Sequence, residues 1–231
     1  MRSPVTDAKP VTIPLDDGTH VSGLLQAPSD ARACYVLAHG AGAGMRHAFM
    51  AAVATELAER GIATLRYQFP YMEKGGKRPD PPKIAHAAVR AAVAEAARLL
   101  PKLPLIAGGK SFGGRMTSQA QAASPLPNVR GLAFLGFPLH PAGRPAQDRA
   151  EHLDAVQIPM LFLQGSRDQL AMLDQLEPVC KALGQRATLE IFPDADHSFH
   201  VPAKTGRKDP EVRADVLNRL AAWTDNIVGT G

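Results

Sequence analysis

The chain has 231 residues, 45% hydrophobic and 21% charged, with a net charge of +4, which suits one α/β domain with a sizeable core. Its Lys and Arg are scattered, the tightest cluster being Lys74-Gly75-Gly76-Lys77-Arg78, and aromatics are only 5% of residues, so the basic stripe with stacking rings that a nucleic-acid face needs is missing. No apolar run reaches the ~18 residues of a membrane span. Met1–Asp7 lacks the apolar core of a signal peptide, and Cys34 and Cys180 form no Cys-x-x-Cys pair. The expectation is a single domain over residues 1–231, cytoplasmic, with reduced and partly buried thiols, and with neither nucleic acid nor membrane as partner.

Two alternating segments come first, Val11–Leu15 and His20–Leu25, joined at Asp16-Asp17-Gly18; this predicts an antiparallel hairpin at a sheet edge. Apolar runs then alternate with helical patterns. Cys34–Ala38 reads as a buried strand, Phe49, Val53 and Leu57 mark a helix face, and Ile62–Leu65 is a second buried strand. The alanine-rich stretch Ile84–Leu100 predicts a helix stopped by Pro101. The run from Leu103 to Gly108 predicts a strand, and a helix follows over Phe112–Ala123. Leu132–Leu135, Met160–Leu163 and Thr188–Phe192 predict three more strands, with a helix over Met172–Leu183 between the last two. The final helix opens at Asp209-Pro210 and carries Val212, Val216, Leu220, Trp223 and Ile227 on one stripe. Continuous apolar strands interleaved with helices mean a mostly parallel sheet covered on both faces. The 24 residues between Leu135 and Met160 leave no room for a large lid, so an open site is expected.

The chemistry begins at Gly109-Lys110-Ser111-Phe112-Gly113. A strand that breaks into a helix at Gly-x-Ser-x-Gly puts the serine on a sharp turn, and the glycines let strand and helix pass closely. Ser111 then stands at a helix N-terminus, where backbone N–H groups favour developing negative charge. The same residues could end a phosphate-binding loop, but that pattern needs a glycine where this chain has Pro104, and its cradle would run through the buried strand Leu105-Ile106-Ala107.

A serine hydroxyl needs a base to take its proton, and the base needs an acid to fix its tautomer. Asp168 follows the strand after next in Gln164-Gly165-Ser166-Arg167-Asp168, and His197 follows the last strand in Pro193-Asp194-Ala195-Asp196-His197-Ser198-Phe199. Serine, acid and histidine thus come in that order, each just past a strand end. Asp168 as a helix N-cap, Asp174 as the acid and His200 as the histidine are the alternatives. Asp194 and Asp196 are expected to shape the turn that aims His197. His20, His47, His86 and His152 lie on surface-like segments and are expected to be solvated. An oxyanion hole needs backbone donors. Phe112 N–H is one candidate; the small-residue loop His39-Gly40-Ala41-Gly42-Ala43-Gly44 offers Ala41 N–H as the second, with Gly42 as fallback and His39 in a structural part. Lys110 and Arg66 are candidates for biasing the site toward acidic substrates.

His39-Gly40-Ala41-Gly42, Gly109–Arg115, Phe137-Pro138-Leu139-His140-Pro141, Gln164–Asp168 and Ala195–Phe199 together resemble the α/β-hydrolases, and within them the small, lidless dienelactone-hydrolase-related group that includes testis-expressed and acetyltransferase-complex relatives in animals. The resemblance spans nearly the whole chain. It implies an α/β-hydrolase fold without a large lid, and Ser111, Asp168 and His197 as a catalytic triad. A dienelactone hydrolase carries cysteine at the elbow, where this chain has Ser111. The implied activity is a cofactor-independent, metal-free serine hydrolase, carboxylesterase-like, acting on a small-molecule ester or related acyl bond. The alternative is an interaction or scaffold protein that keeps the fold. A peptidase would need a gating domain for which the chain has no room.

Overall fold

The computed structural model describes residues 7–229; residues 1–6, most of the segment read above as no signal peptide, lie outside them. Eight strands form one sheet: β1 (Lys9–Pro14), β2 (His20–Gln26), β3 (Ala33–Ala38), β4 (Ile62–Tyr67), β5 (Leu105–Lys110), β6 (Val129–Leu135), β7 (Met160–Gly165) and β8 (Ala187–Phe192). Their order across the sheet is β1-β2-β4-β3-β5-β6-β7-β8. β2 pairs antiparallel with both β1 and β4, and every pairing from β4 to β8 is parallel. The expected hairpin is there, with Gly18 at a φ of +81° closing its turn, and its strands form one edge of the sheet.

Side-chain alternation along the central strands divides the core into two layers. Cys34, Val36, Ala38, Ala107 and Phe134 face one way, onto α3 (Pro82–Leu99), α4 (Phe112–Ala123) and α5 (Leu173–Leu183). Tyr35, Leu37, Ile106, Ala133 and Leu135 face the other, onto α1 (Ala48–Ala58) and α6 (Asp209–Val228), where Val212, Val216, Leu220 and Trp223 form the predicted stripe. Residues that alternate between two apolar layers have no polar face, which is why β3, β4 and β7 are mostly apolar and buried throughout, with Thr64, Arg66 and Gln164 as their buried polar residues. The apolar residues buried on α3 are Ala85, Ala88, Val89, Ala92, Val93 and Ala96, small enough to let the helix lie close to the sheet.

The differences from the sequence reading lie at element ends and in short connecting elements. α3 starts at Pro82 rather than Ile84, because proline's fixed φ suits the first helical position. β5 starts at Leu105 and runs on through Gly109 to Lys110, so the strand delivers the chain directly to Ser111. A short helix, α2 (Pro70–Glu73), follows β4 and was not anticipated. β6 and β7 are joined by a loop whose regular structure is a 3-10 helix, Asp148–Ala155, and no lid is inserted. Both cysteines are free and buried, and burial pushes each thiol up to about 12. No helix of the described residues is long and apolar enough to cross a membrane.

Candidate active site

The C-terminal ends of the parallel strands bring the predicted residues together. Ser111 links β5 to α4 with a φ of +50°, a left-handed backbone that a non-glycine residue adopts only where its surroundings impose it. Those surroundings are tight. A Cβ on Gly113 would come 2.6 Å from the His39 carbonyl oxygen, and one on Gly109 would come 2.2 Å from that of Ala38. Gly113 is therefore required by the close pass of α4 against the end of β3, and Gly109 by the approach of β3 to β5.

His197 Nε2 lies 2.8 Å from Ser111 Oγ, and His197 Nδ1 lies 2.6 Å from Asp168 Oδ2. A carboxylate can only accept, so Nδ1 carries the proton and Nε2 is left to accept from the serine hydroxyl. Burial holds the imidazole below its ordinary value, and Lys110 adds to that; the bond to Asp168 works in the opposite direction. The Asp168 side chain is fully buried. Its Oδ1 accepts the Leu170 N–H at 2.8 Å, and its Oδ2 also accepts from the Gln164 amide. The Gln164 Oε1 in turn accepts the Phe137 N–H at 3.0 Å. Asp168 is thus held from three directions and is not a helix N-cap, since α5 is preceded by Met172.

The alternatives fall elsewhere. Asp174 is exposed in the first turn of α5. His200 is exposed and turned to Asp209, 2.9 Å away, whose carboxylate raises its pKa. Asp196 shapes the turn as expected, its Oδ1 accepting the Ser198 and His200 N–H groups at 2.7 and 3.0 Å.

Ser111 opens into a cavity of about 480 Å³ lined by Gly40, Ala41, Phe49, Met50 and Leu170, with Lys110 and His197 also on its wall. In the loop after β3, buried His39 accepts the Phe69 N–H at its Nε2 (3.1 Å), so its Nδ1–H donates to the Gly40 carbonyl at 2.8 Å. That ring is neutral, kept so by burial, and it holds the loop in shape. The Gly42 N–H donates to the Tyr71 hydroxyl at 3.1 Å, which removes the fallback donor. Ala41 stays exposed on the cavity wall, and Phe112, as the first residue of α4, has no intrahelical acceptor for its N–H.

Two sequence expectations are corrected. Arg66 is buried in β4, donates to the Met45 carbonyl at 3.3 Å and is not among the residues that line the cavity. The Lys110 ammonium is bound to the His197 carbonyl. His86 and His152 are half-buried rather than solvated, His86 on Gln119 at 3.3 Å and His152 on Ser118 at 2.7 Å, because α4 packs between α3 and the 3-10 helix. Burial, with Arg115 and His86 nearby, pushes His152 down to about 4. His20 and His47 are exposed as expected, although His47 caps α1 and stands on the cavity rim. Gln164 and Tyr71 were missed. A polar residue ending an otherwise apolar strand could have marked Gln164; nothing local marks Tyr71.

The model of a family described as an alpha/beta hydrolase domain matches residues 31–225. The chain belongs to the α/β-hydrolase family. Among solved structures, this α/β-hydrolase superposes on a lidless α/β serine hydrolase from Xanthomonas campestris with a TM-score of 0.73 and 22% identity, over 94% of this chain and 95% of that one. It also superposes on a dienelactone hydrolase from Anabaena variabilis with a TM-score of 0.78 and 20% identity, over 97% and 99% of the two chains. At these identities the likeness is one of fold. A Methylorubrum extorquens protein named "Putative carboxymethylenebutenolidase" is 29% identical over 127 residues, half of this chain. The match takes in 40% of that curated relative's length.

Proposed function

We propose that the chain is a serine hydrolase that cleaves a carboxylic ester or a related acyl bond, with Ser111, His197 and Asp168 as its triad. The observation that carries the reading is the unbroken chain of hydrogen bonds from Ser111 Oγ through both ring nitrogens of His197 to buried Asp168, at 2.8 and 2.6 Å. His197 Nε2 takes the hydroxyl proton as Ser111 Oγ attacks the carbonyl carbon, and Asp168 stabilises the imidazolium that forms. The Phe112 and Ala41 N–H groups receive the oxyanion. As the tetrahedral intermediate collapses, His197 gives the proton to the departing alkoxide and an acyl-Ser111 remains. Water, activated by the same imidazole, then releases the acid and restores the serine.

The relatives' names fit this reading: one structure is of a dienelactone hydrolase, the curated relative is named a putative carboxymethylenebutenolidase, and a lactone is a cyclic ester. Ser111 in place of a cysteine favours ordinary carboxylic esters, and the apolar cavity walls favour a small apolar acyl group. The test is covalent labelling by a fluorophosphonate, with Ser111→Ala as control. Labelling of the native chain that is lost in the variant is the expected result. Failure of the folded native chain to label over hours at neutral pH would overturn the reading.

A further inference from the structure

Lys110 ends β5, one residue before Ser111, yet its ammonium is turned to the histidine loop. It donates to the main-chain carbonyl of His197 and lies 5.7 Å from the centre of the Phe199 ring. The carboxylates of Asp168 and Asp196 are its neighbouring anions, and burial still pulls its pKa down to about 8. A lysine left to itself extends its head to water; this one is held where its charge is costly.

The loop it holds is one that needs holding. Asp194 and Phe199 flank His197 with φ values of +59° and +62°, conformations that persist only when surrounding structure imposes them. Arg167 N–H binds the Ala195 carbonyl, Ser166 Oγ accepts the Asp194 N–H, and Asp196 binds two N–H groups farther on. Among the described residues, Lys110 is the side chain that bonds the main chain of His197 itself. Its space is kept open by Gly136, just past β6: with a φ of +72°, a Cβ there would sit 2.9 Å from Lys110 Nζ and 3.3 Å from the His197 ring.

We propose that Lys110 is a positioning residue, which ties the His197 loop to the strand that delivers Ser111 and so sets the register between imidazole and hydroxyl. The proposal rests on the serine-hydrolase reading above. The same placement puts a positive charge beside the imidazole. The groups that face His197 are Ser111 and Lys110 from the β5 end, Asp168 from the β7 end and Asp196 from its own loop, and Arg167 and His200 share with it the lining of a second cavity of about 540 Å³.

The experiment compares Lys110→Met and Lys110→Arg with the native chain, using p-nitrophenyl acetate hydrolysis and NMR titration of the His197 ring, identified through His197→Gln. Lys110→Met should lower kcat about 10- to 100-fold, the cost of a misplaced reacting group, with KM within about twofold. Its acid limb and its His197 titration should both move to higher pH, because a cation that disfavoured imidazolium is gone. Lys110→Arg keeps charge and donors and should recover most of the rate. A Lys110→Met chain with native kcat and an unmoved His197 titration would overturn the proposal. Should that variant not fold, Lys110→Gln, a donor without charge, takes its place, and an unmoved titration refutes it equally. If the native chain neither hydrolyses the ester nor takes the fluorophosphonate, the hydrolase reading fails, while the NMR titration still decides whether Lys110 governs His197.

Discussion

Tyr71→Phe tests whether the loop after β3, proposed to receive the oxyanion at Ala41, is held from outside itself. The hydroxyl accepts the Gly42 N–H at 3.1 Å, next to Ala41, while the ring packs 6.5 Å from Phe112 and 6.1 Å from His39, centre to centre. Phenylalanine keeps that packing and deletes only the acceptor. Gly42 is exposed, so water can replace the lost partner and the net loss is that of one neutral hydrogen bond, about 0.5–1.5 kcal/mol. If all of it appears as a poorer placement of the Ala41 N–H in the transition state, kcat falls about 2- to 12-fold. KM should hold, since the donor acts on charge that exists only during reaction. Steady-state hydrolysis of p-nitrophenyl acetate measures both constants. An unchanged kcat would mean the loop keeps its shape without Tyr71. A loss beyond about 100-fold would equally refute the reasoning, because that is the size of a lost oxyanion donor and would make the hydroxyl itself a contact of the reacting atoms.

Two further outcomes follow from the same geometry. His197 is held below its ordinary value of 6.5 by burial, and a protonated imidazole cannot take the serine proton, so kcat/KM should rise with pH along a limb centred below 6.5. A pH profile with that limb above 7 would contradict the assignment. Gly109→Ala places a Cβ 2.2 Å from the Ala38 carbonyl oxygen, in the backbone of the neighbouring strand, at a φ of +150°. Overpacking and backbone strain together cost about 3 kcal/mol or more, or roughly 6–12 °C in Tm for a chain of this size. A melting temperature within about 2 °C of native would show that the elbow can relax.

The parts of this fold visible in the sequence were those written in local pattern. The strands read as apolar runs because both faces of the sheet are covered, and the elbow read as Gly-x-Ser-x-Gly because each glycine answers one backbone approach. What stayed hidden was set by partners far along the chain. Tyr71 reaches Gly42 across 29 positions and Gln164 reaches Phe137 across 27, and neither spacing has a period. Arg66 and Lys110 looked alike as cations near the site. Arg66 lies within β4 and turns to the Met45 carbonyl, away from the cavity lining, whereas Lys110 lies at the end of β5 and turns to the His197 carbonyl, and that difference exists only once β4 and β5 are in place.

The order of the strands explains why so much converges on one point. β5 carries Ser111, β7 leads to Asp168 and β8 to His197, and β6 lies between the first two. A side chain at the end of β6 would press on Lys110 and His197. The chain has Gly136 there, its N–H bonded to the Leu163 carbonyl at 2.9 Å, and the space it leaves is filled by the Lys110 ammonium and the His197 ring. The contribution of β6 is thus an absence. Any side chain at Gly136 would meet Lys110 first, at 2.9 Å, and His197 next, at 3.3 Å, so crowding at this position reaches the imidazole through its tether before it reaches the imidazole itself.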